Sequence, residues 1–338
     1  MISREEELKL FDDGIKNPNG YRKHIPFLIE KIITAFIAIF VSICCFISIL
    51  DKKGIYTWNT LYKQIGIIDG VEKVDSDFVI YYLDVGQGDC SIVISKGKVM
   101  MIDTAVAHRY VNIREALMCL EIDTIDYMII THQHDDHMGS AAKIIENYNV
   151  KNLIMPKLSS INMVTNETYK NLLLTIKDYN VNAIAATAGY NFMLGNASVE
   201  IISPSEQCKK LNNMSAVTKI TYGDTSFLFQ GDAEREIENK LLKSDNDLSA
   251  DIIKLGHHGS VTSSTTKYLK AVNPQIAIIS CGEDNTYGHP AGEVIDRLEK
   301  YKIDYYLTPY HGNITAQSDG NNIIITTEKK EVNKEYEK

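Results

Sequence analysis

The pattern of apolar and polar positions separates one long apolar segment from a mixed region that follows it. Residues 32–50 contain no charged side chain, and about 19 residues at ~1.5 Å each extend close to the ~30 Å of a bilayer core. A core helix would show one apolar face, whereas this segment is apolar all round. A cleaved signal peptide would begin nearer the N-terminus and would end at small residues rather than at the charged residues 51–53. The pattern therefore predicts one transmembrane helix, residues 25–50.

Strand-like runs alternate with helical periodicity through the rest of the chain. We expect strands at residues 78–83, 91–94, 99–102, 127–131, 153–155, 199–202, 216–222, 225–229, 251–255 and 276–280. We expect helices at residues 112–120, with Asn112 as N-cap, and at 141–147, 169–178, 233–242, 265–272 and 295–300. Periodicity alone predicts mixed α and β structure, and its two rough halves suit two sheets packed face to face. The predicted organisation is a polar tail (1–24), the anchor (25–50), a linker (51–76), one domain (77–328) and a charged tail (329–338).

Composition narrows the function classes. The net charge of −9 argues against a surface that coats nucleic acid, because such surfaces carry clustered Lys and Arg. The contents of 44% hydrophobic and 23% charged residues are ordinary for a folded protein. The cysteines show no C-x-x-C spacing, which excludes a zinc-finger or thiol redox motif. Basic residues flank the apolar segment too evenly to give its orientation.

The stretch most informative about function is residues 131–140, which read THQHDDHMGS directly after an apolar run. One short turn there contains four candidate metal ligands: His132, His134, Asp136 and His137. Neutral imidazole and carboxylate groups both suit zinc, and two ions can share such a turn. Two further strand-like runs end in candidate ligands, one at Asp232 and one at His257 and His258. Ligands that are scattered in sequence must converge in space to hold a metal, and three such strand ends together favour a metal site.

These motifs resemble those of the metallo-β-lactamase-fold hydrolases, and specifically the catalytic domain of ComEC-type competence proteins. The matching stretches are YYLDVGQGDC (81–90), MIDTA (101–105), THQHDDHMGS (131–140), NNMSAVTKITYGDTSFLFQGDAE (212–234), DIIKLGHHGSVTSS (251–264), YGHP (287–290) and TPYHGNI (308–314). They occur in the family's order and cover residues 78–328. The resemblance implies an α+β fold, a four-layer αββα sandwich, preceded here by one transmembrane helix.

The resemblance also implies a ligand set. His132 and His134 would hold a first metal, and Asp232 would bridge it to a second. Asp136 and His137 would hold the second metal with one histidine of the pair His257 and His258; His257 is named as that ligand, and the histidine that does not bind metal would contact an anionic substrate. The chain has no His from Met138 to Gly256, where many relatives supply a third His to the first metal. The ComEC-type branch carries an Asn-x-x-Ser motif there, matched by residues 212–215. We expect two divalent ions, zinc first, with manganese or magnesium as alternatives because an Asn carbonyl is a weaker ligand.

We also expect roles for further residues of these motifs. Asp136, His258 and His289 are expected to take part in catalysis, with Lys254 near the substrate. The groups expected to support the ligands from behind are Asp84, Asp89, Asp103, Asn212, Asn213 and Ser260. For Asp84 and Asp89, capping of a turn in a Gly-rich loop is an equal alternative. Asp135 is expected to be a solvated carboxylate.

The leading functional hypothesis is a membrane-anchored, metal-dependent hydrolase of a phosphodiester, with DNA as one candidate substrate. An exported phosphodiesterase acting on a cell-envelope polymer or a small phosphodiester is the main alternative, because the acidic chain shows no basic groove. A non-catalytic binding module is disfavoured by the intact ligand set. The family places the catalytic domain outside the cell, which predicts a single-pass protein of the cell membrane. The sequence indicates no protein partner.

Overall fold

The computed structural model describes residues 24–52, 58, 61, 71–160, 165–329 and 333–337. The chain divides into two compact units, Met1–Ile68 and Asp69–Lys338. Nearly all of the predicted polar tail (1–24) and most of the predicted linker (51–76) lie outside the described residues.

Within the described part of the first unit lies the long helix α1 (His24–Lys52). Within it, Ile29–Leu50 has 22 residues and a mean hydropathy of 2.8, so it is long and apolar enough to cross a membrane. Large apolar side chains such as Phe36 and Phe40 are exposed along this helix. The predicted anchor segment is therefore helical, with limits close to the expected ones.

The second unit is built on two sheets. The first has nine strands in the order β16-β15-β14-β1-β2-β3-β4-β5-β6, and the second has seven in the order β13-β12-β11-β10-β9-β8-β7. The strands are β1 (Phe78–Tyr82), β2 (Ser91–Ser95), β3 (Lys98–Ile102), β4 (Thr124–Ile129), β5 (Asn149–Met155), β6 (Asn182–Ala185), β7 (Tyr190–Leu194), β8 (Ala197–Ile201), β9 (Thr218–Tyr222), β10 (Thr225–Phe229), β11 (Ile252–Lys254), β12 (Ile276–Ile279), β13 (Asp304–Leu307), β14 (Ile314–Ser318), β15 (Asn322–Thr327) and β16 (Asn333–Glu337).

Helices connect the strands. They are α2 (Tyr110–Cys119), α3 (Asp135–Met138), α4 (Ala141–Asn147), α5 (Glu167–Asp178), α6 (Arg235–Leu241), α7 (Thr266–Val272), α8 (Gly292–Lys300) and α9 (Thr308–His311). Short 3₁₀ segments occur at Ala107–Arg109, Asn212–Met214 and Gly256–Gly259.

Three apolar layers hold these elements together. Successive side chains of a strand point to opposite faces, so β1 sends Phe78 towards the other sheet and Tyr81 towards the helices. Between the sheets, the rings of Phe78 and Phe227 lie 5.1 Å apart. A third layer buries Leu228 and Tyr268 between the second sheet and its helices. The arrangement is the expected four-layer αββα sandwich.

The structure differs from the sequence-based expectation mainly at sheet edges. Helix α2 begins at Tyr110, so Asn112 lies inside the helix and is not its cap. The expected charged tail (329–338) instead contains β16, which pairs antiparallel with β15. Charged side chains are common on edge strands, where they discourage pairing with other chains, and this explains the tail-like composition of β16.

Candidate metal centre

Two turns at the carboxyl ends of parallel strands carry the candidate ligands. The first turn, residues 131–140, follows β4, which runs parallel to β3 and β5. The second turn, residues 256–260, follows β11, which runs parallel to β10 and β12. Asp232 lies three residues after the end of β10. Each sheet thus delivers ligands from its strand ends to one shared centre.

A short helix, α3, positions two of the ligands in the first turn. His134 has an extended backbone and caps the start of α3, which carries Asp136 and His137 on its first turn. The imidazole nitrogens His132 Nε2 and His134 Nδ1 lie 2.8 Å apart. His132 and His137 are completely buried, so the turn presents nitrogens to an enclosed space and not to solvent.

The two carboxylate oxygens of Asp232 face two different pairs of imidazoles. Its Oδ2 lies 3.7 Å from His132 Nε2 and 3.8 Å from His257 Nε2. Its Oδ1 lies 3.3 Å from His137 Nε2 and 3.8 Å from His258 Nε2. A carboxylate in this position can ligate two ions at once, as the bridging assignment requires.

Three groups of donors among the described residues have ligand atoms that lie within 4.8 Å of one another. The first triad is His132, His134 and Asp232, and the second triad is Asp136, His137 and His258. The third group, Asp89, His137 and Asp232, shares its last two members with these triads. His137 Nε2, His258 Nε2 and Asp232 Oδ1 are buried and have no hydrogen-bond partner among the described residues. Buried polar atoms are almost always paired, so three orphaned donors aimed at one space fit divalent ions held by nitrogen and oxygen ligands.

The geometry favours His258 over His257 as the ligand that the second turn supplies. His258 is buried, and its Nε2 lies 3.3 Å from Asp136 Oδ2, which places it in the second triad. His257, expected to be the ligand there, keeps 24% of its side chain exposed. Both residues have left-handed backbone, with φ of 52° and 54°, which turns successive side chains in directions that a strand or helix would not give.

Asp103 supports the first turn as expected. Its carboxylate accepts hydrogen bonds from the backbone N–H and hydroxyl of Thr131, at 2.7 and 2.8 Å. Its Oδ2 also lies 2.7 Å from His137 Nδ1, which directs His137 Nε2 towards Asp232. Burial raises the pKa of Asp103, against the opposing influence of His137.

Asp89 supports the second turn, and Lys254 belongs with it. Asp89 Oδ1 lies 3.2 Å from His258 Nδ1, and Lys254 Nζ donates to Asp89 Oδ2 at 2.8 Å. The Asp89 N–H also donates to the Asp136 carbonyl at 3.1 Å. Gly88 makes this approach possible: its φ is +134°, and an added Cβ would lie 2.6 Å from the Asp136 carbonyl oxygen. Lys254 is only 2% exposed, so the expectation that it meets the substrate is wrong.

Two residues that were expected to support the centre lie away from it, and Asp135 lies outside it with an exposed side chain. Asp84 caps the N–H of Gly86, which is the turn-capping alternative and not the supporting role, and it pairs with Lys329 at 3.1 Å. The side chain of Asn213 accepts from the Glu234 N–H and donates to Glu236, so it braces the start of α6. Asp135 accepts from Asn166 and is exposed.

Ser260 acts on His257 through an intermediate hydroxyl. The Thr262 hydroxyl donates to Ser260 Oγ at 3.1 Å and lies 2.9 Å from His257 Nδ1. The ring of His257 is thereby oriented with its Nε2 towards Asp232. Thr262 was not expected from the sequence, because a single hydroxyl in a polar loop gives no signal.

The Asn-x-x-Ser motif contributes through its serine as well as its amide. Ser215 Oγ accepts from the Asp232 N–H at 2.9 Å and therefore positions the bridging carboxylate. Asn212 Nδ2 lies 3.5 Å from His257 Nε2, and its buried Oδ1 has no hydrogen-bond partner among the described residues. The amide thus lies beside His257 at the edge of the first triad.

The charges of the centre suit metal binding. Burial lowers the pKa of His132 and His134, which keeps both imidazoles neutral. Burial opposes ionisation of Asp232, yet His137 and His258 outweigh it and hold the pKa of this carboxyl well below its ordinary value. In the absence of metal, the surrounding carboxylates outweigh burial and raise the pKa of His258 to about 10. A proton and a metal therefore compete for the His258 imidazole.

His289 lies at the rim and not within the triads. Its ring centroid is 5.5 Å from that of His257 and 6.2 Å from that of His258. Burial and the neighbouring imidazoles lower the pKa of His289 to about 4, so it is neutral near pH 7.

The profile of the Metallo-beta-lactamase superfamily matches residues 83–161, a range that includes the first turn. The chain carries a metallo-β-lactamase superfamily domain. The two-sheet fold and the paired donor triads agree with this assignment, and the resemblance found in the sequence is confirmed. Members of this superfamily are metal-dependent hydrolases, and the fold implies divalent ions at this centre.

Curated relatives extend the similarity beyond the first turn. The chain is 29% identical over 194 residues to ComE operon protein 3 of Bacillus subtilis, covering 57% of this chain and 24% of that protein. It is 30% identical over 237 residues to Recombination protein 2 of Haemophilus influenzae, covering 69% of this chain and 28% of that protein. The chain therefore spans about a quarter of the length of these relatives.

A solved structure supports the fold independently. CmlA, a diiron β-hydroxylase from Streptomyces venezuelae, superposes with a TM-score of 0.51 at 16% identity, over 78% of this chain and 60% of CmlA. At this identity the likeness shows the fold alone.

Proposed function

We propose that this chain is a membrane-anchored, metal-dependent phosphodiesterase. The observation that carries the proposal is the pair of donor triads that meet at Asp232, with their buried donor atoms unpartnered. Two ions about 3.5–4 Å apart are the usual arrangement for displacement at phosphorus.

The residues present divide naturally between two ions. His132, His134 and Asp232 Oδ2 would hold one ion, with His257 Nε2 facing the same oxygen. Asp136, His137, His258 and Asp232 Oδ1 would hold the other. Bound divalent ions supply Lewis acidity towards a phosphoryl oxygen and lower the pKa of water. The nitrogen-rich set suits zinc, with manganese or magnesium as alternatives.

The remaining groups of the centre bind and orient the substrate. His257 is partly exposed, and the Thr262 hydroxyl beside Nδ1 leaves Nε2 free to contact an anionic oxygen. His289 is neutral near pH 7, so it serves as a hydrogen-bond partner of the leaving group and not as an imidazolium acid. Asp136 lies within the second triad, where its role is that of a ligand.

Two observations bear on the substrate, and they point in different directions. The competence and recombination proteins among the relatives favour DNA, although this chain spans only about a quarter of their length. The net charge of −9 favours a small phosphodiester or an envelope polymer, because extended DNA binding needs clustered cations. We propose hydrolysis of phosphodiesters with little sequence preference, DNA among them.

The proposed location rests on α1 and on the resemblance to ComEC-type proteins. The apolar stretch of 22 residues would anchor the chain in the cell membrane, and the resemblance would place the catalytic domain outside. Full-length protein should then remain with membranes after carbonate extraction.

The test uses full-length protein in detergent with zinc, manganese or magnesium. We expect hydrolysis of both single-stranded DNA and bis-p-nitrophenyl phosphate, abolished by Asp232→Asn and retained by Asp135→Asn, whose carboxylate is exposed outside the triads. Binding of DNA should depend weakly on salt, with a slope of about −1 to −2 in log affinity against log salt. No hydrolysis of either substrate with any of the three metals would instead favour a binding module.

A further inference from the structure

An exposed aromatic side chain lies beside the metal centre without a role in it. Tyr287 is 70% exposed, although large aromatic side chains usually bury most of their surface. Its ring stacks on that of His289, with centroids 5.7 Å apart and planes 19° apart. One tyrosine ring is thus held at the rim of the centre, largely open to solvent.

The loop that carries Tyr287 is fixed from several sides. The Asn285 side chain accepts from the His289 N–H at 2.9 Å and donates to the His289 carbonyl. The Gly282 N–H donates to Gln87 Oε1 at 3.0 Å, which ties the loop to the segment before Asp89. The Ala291 N–H donates to the Gly259 carbonyl at 3.0 Å, which ties it to the second turn. A ring on such a loop is oriented before any ligand arrives.

The position of the ring suits a group attached to the reacting phosphate. The centroid distances from Tyr287 to His289 and from His289 to His258 place the Tyr287 ring within about 12 Å of the His258 ring. About one or two nucleotides would bridge this separation. A substrate phosphate at the ligands could therefore present a neighbouring base to the tyrosine.

We propose that Tyr287 is a stacking subsite for a nucleobase that flanks the scissile phosphodiester. The inference rests on the proposed phosphodiesterase function and names nucleic acid as its substrate class. Proteins that bind single strands combine cations with aromatic rings on which bases stack. Here the net charge is −9 and Lys254 is consumed in a buried pair with Asp89, so stacking supplies affinity that the cations do not.

The kinetic test compares substrates that share one leaving group. Full-length protein is assayed on thymidine 5′-(p-nitrophenyl phosphate), which has a base, and on methyl p-nitrophenyl phosphate, which has none. We expect Tyr287→Ala to raise KM about tenfold for the thymidine ester only, which corresponds to about 1.4 kcal/mol and lies within the range for base stacking. Tyr287→Phe should retain wild-type KM because it keeps the ring. Tyr179→Ala is the matched control, since Tyr179 is an exposed tyrosine at the end of α5.

Other kinetic outcomes overturn the proposal. An equal loss on both esters would make Tyr287 structural, and no loss on either would remove it from the substrate path. A loss confined to p-nitrophenyl phosphorylcholine would assign the ring to a quaternary ammonium instead.

A binding measurement keeps the inference testable even if no ester is hydrolysed, which would defeat the proposed function alone. In the Asp232→Asn background, fluorescence anisotropy compares oligothymidylate with an abasic oligomer of equal length and charge. We expect about tenfold tighter binding of oligothymidylate, lost on adding Tyr287→Ala and kept with Tyr287→Phe. Equal affinity for the two oligomers would contradict the stacking subsite.

Discussion

The two turns that supply imidazoles, residues 131–140 and 256–260, differ in how well their sequences predict the directions of their side chains. In the first turn, α3 starts immediately after His134, so Asp136 and His137 leave a regular helical backbone. In the second turn, His257 and His258 have left-handed φ values of 52° and 54°. The first turn brought its expected ligands together, whereas in the second turn the buried residue is His258 and not His257.

The difference shows what residue spacing can and cannot convey. Spacing predicts side-chain direction only where the backbone repeats regularly. Left-handed residues other than Gly and Asn are uncommon, so a sequence gives no sign that two adjacent imidazoles will face opposite oxygens of one carboxylate. The burial and the support of each ring then decide its role.

The largest expected effect separates the two histidines of the second turn. We predict that His258→Ala lowers kcat/KM about 10³-fold, because a lost ligand removes several kcal/mol of transition-state stabilisation. His257→Ala should cost about tenfold, mainly through KM, if the partly exposed His257 contacts the substrate as we propose. Steady-state kinetics with zinc or manganese measure both. A larger loss for His257→Ala would restore the assignment made from sequence.

We expect an intermediate effect, on the free energy of unfolding, for the buried pair of Lys254 and Asp89 that supports the second turn. Lys254→Met removes the lysine partner of the buried Asp89 carboxylate, and we predict a loss of about 3 kcal/mol in the free energy of unfolding. The matched control is Lys151→Met, because Lys151 pairs with Asp126 at the same 2.8 Å but is 46% exposed. The control should cost under about 1 kcal/mol in urea denaturation. Equal losses would show that burial of the Lys254 pair does not matter.

The smallest effect tests a carboxylate that supports the strand leading to the first turn. Asp126 accepts from the Val99 N–H at 3.1 Å and from Lys151, and these contacts outweigh burial and lower its pKa. A lowered carboxyl pKa stabilises the fold above the ordinary Asp pKa, and this stability is lost as pH falls through the lowered value. Asp126→Asn should therefore cost about 1 kcal/mol near pH 7 and progressively less below about pH 4.

The readout for Asp126→Asn is urea denaturation of both proteins across this pH range. Zinc affinity should not change, because Asp126 lies in the first half of β4 and the ligands follow the other end of this strand. A constant stability difference at all pH values, or a loss of zinc affinity, would contradict this account.

The fold was predictable in its core and less so at its edges. Strand β10 has exactly the expected limits because five consecutive apolar or small residues lie between clear turn signals. Strand β14 escaped prediction because polar residues interrupt its apolar run, as in ITAQS. One of its partners, β1, is distant in sequence, so local sequence alone does not reveal this pairing.

The sequence predicted the metal ligands of the candidate site better than the residues that position those ligands. A cluster such as His132 to His137 has few explanations other than metal, whereas Ser215 and Thr262 belong to residue types found in any polar loop. The buried ion pair of Lys254 was also predictable from the sequence. A single charge inside the apolar run of β11 indicates a buried pair, and Asp89 is its partner.

The central claim is that one carboxylate, Asp232, serves two ions, and metal content tests it most directly. Elemental analysis of purified full-length protein should find about two ions per chain in the wild type and in Asp135→Asn. Asp232→Ala should retain at most one, because each oxygen of this carboxylate faces a different triad. Full occupancy by two ions in Asp232→Ala would contradict the shared centre.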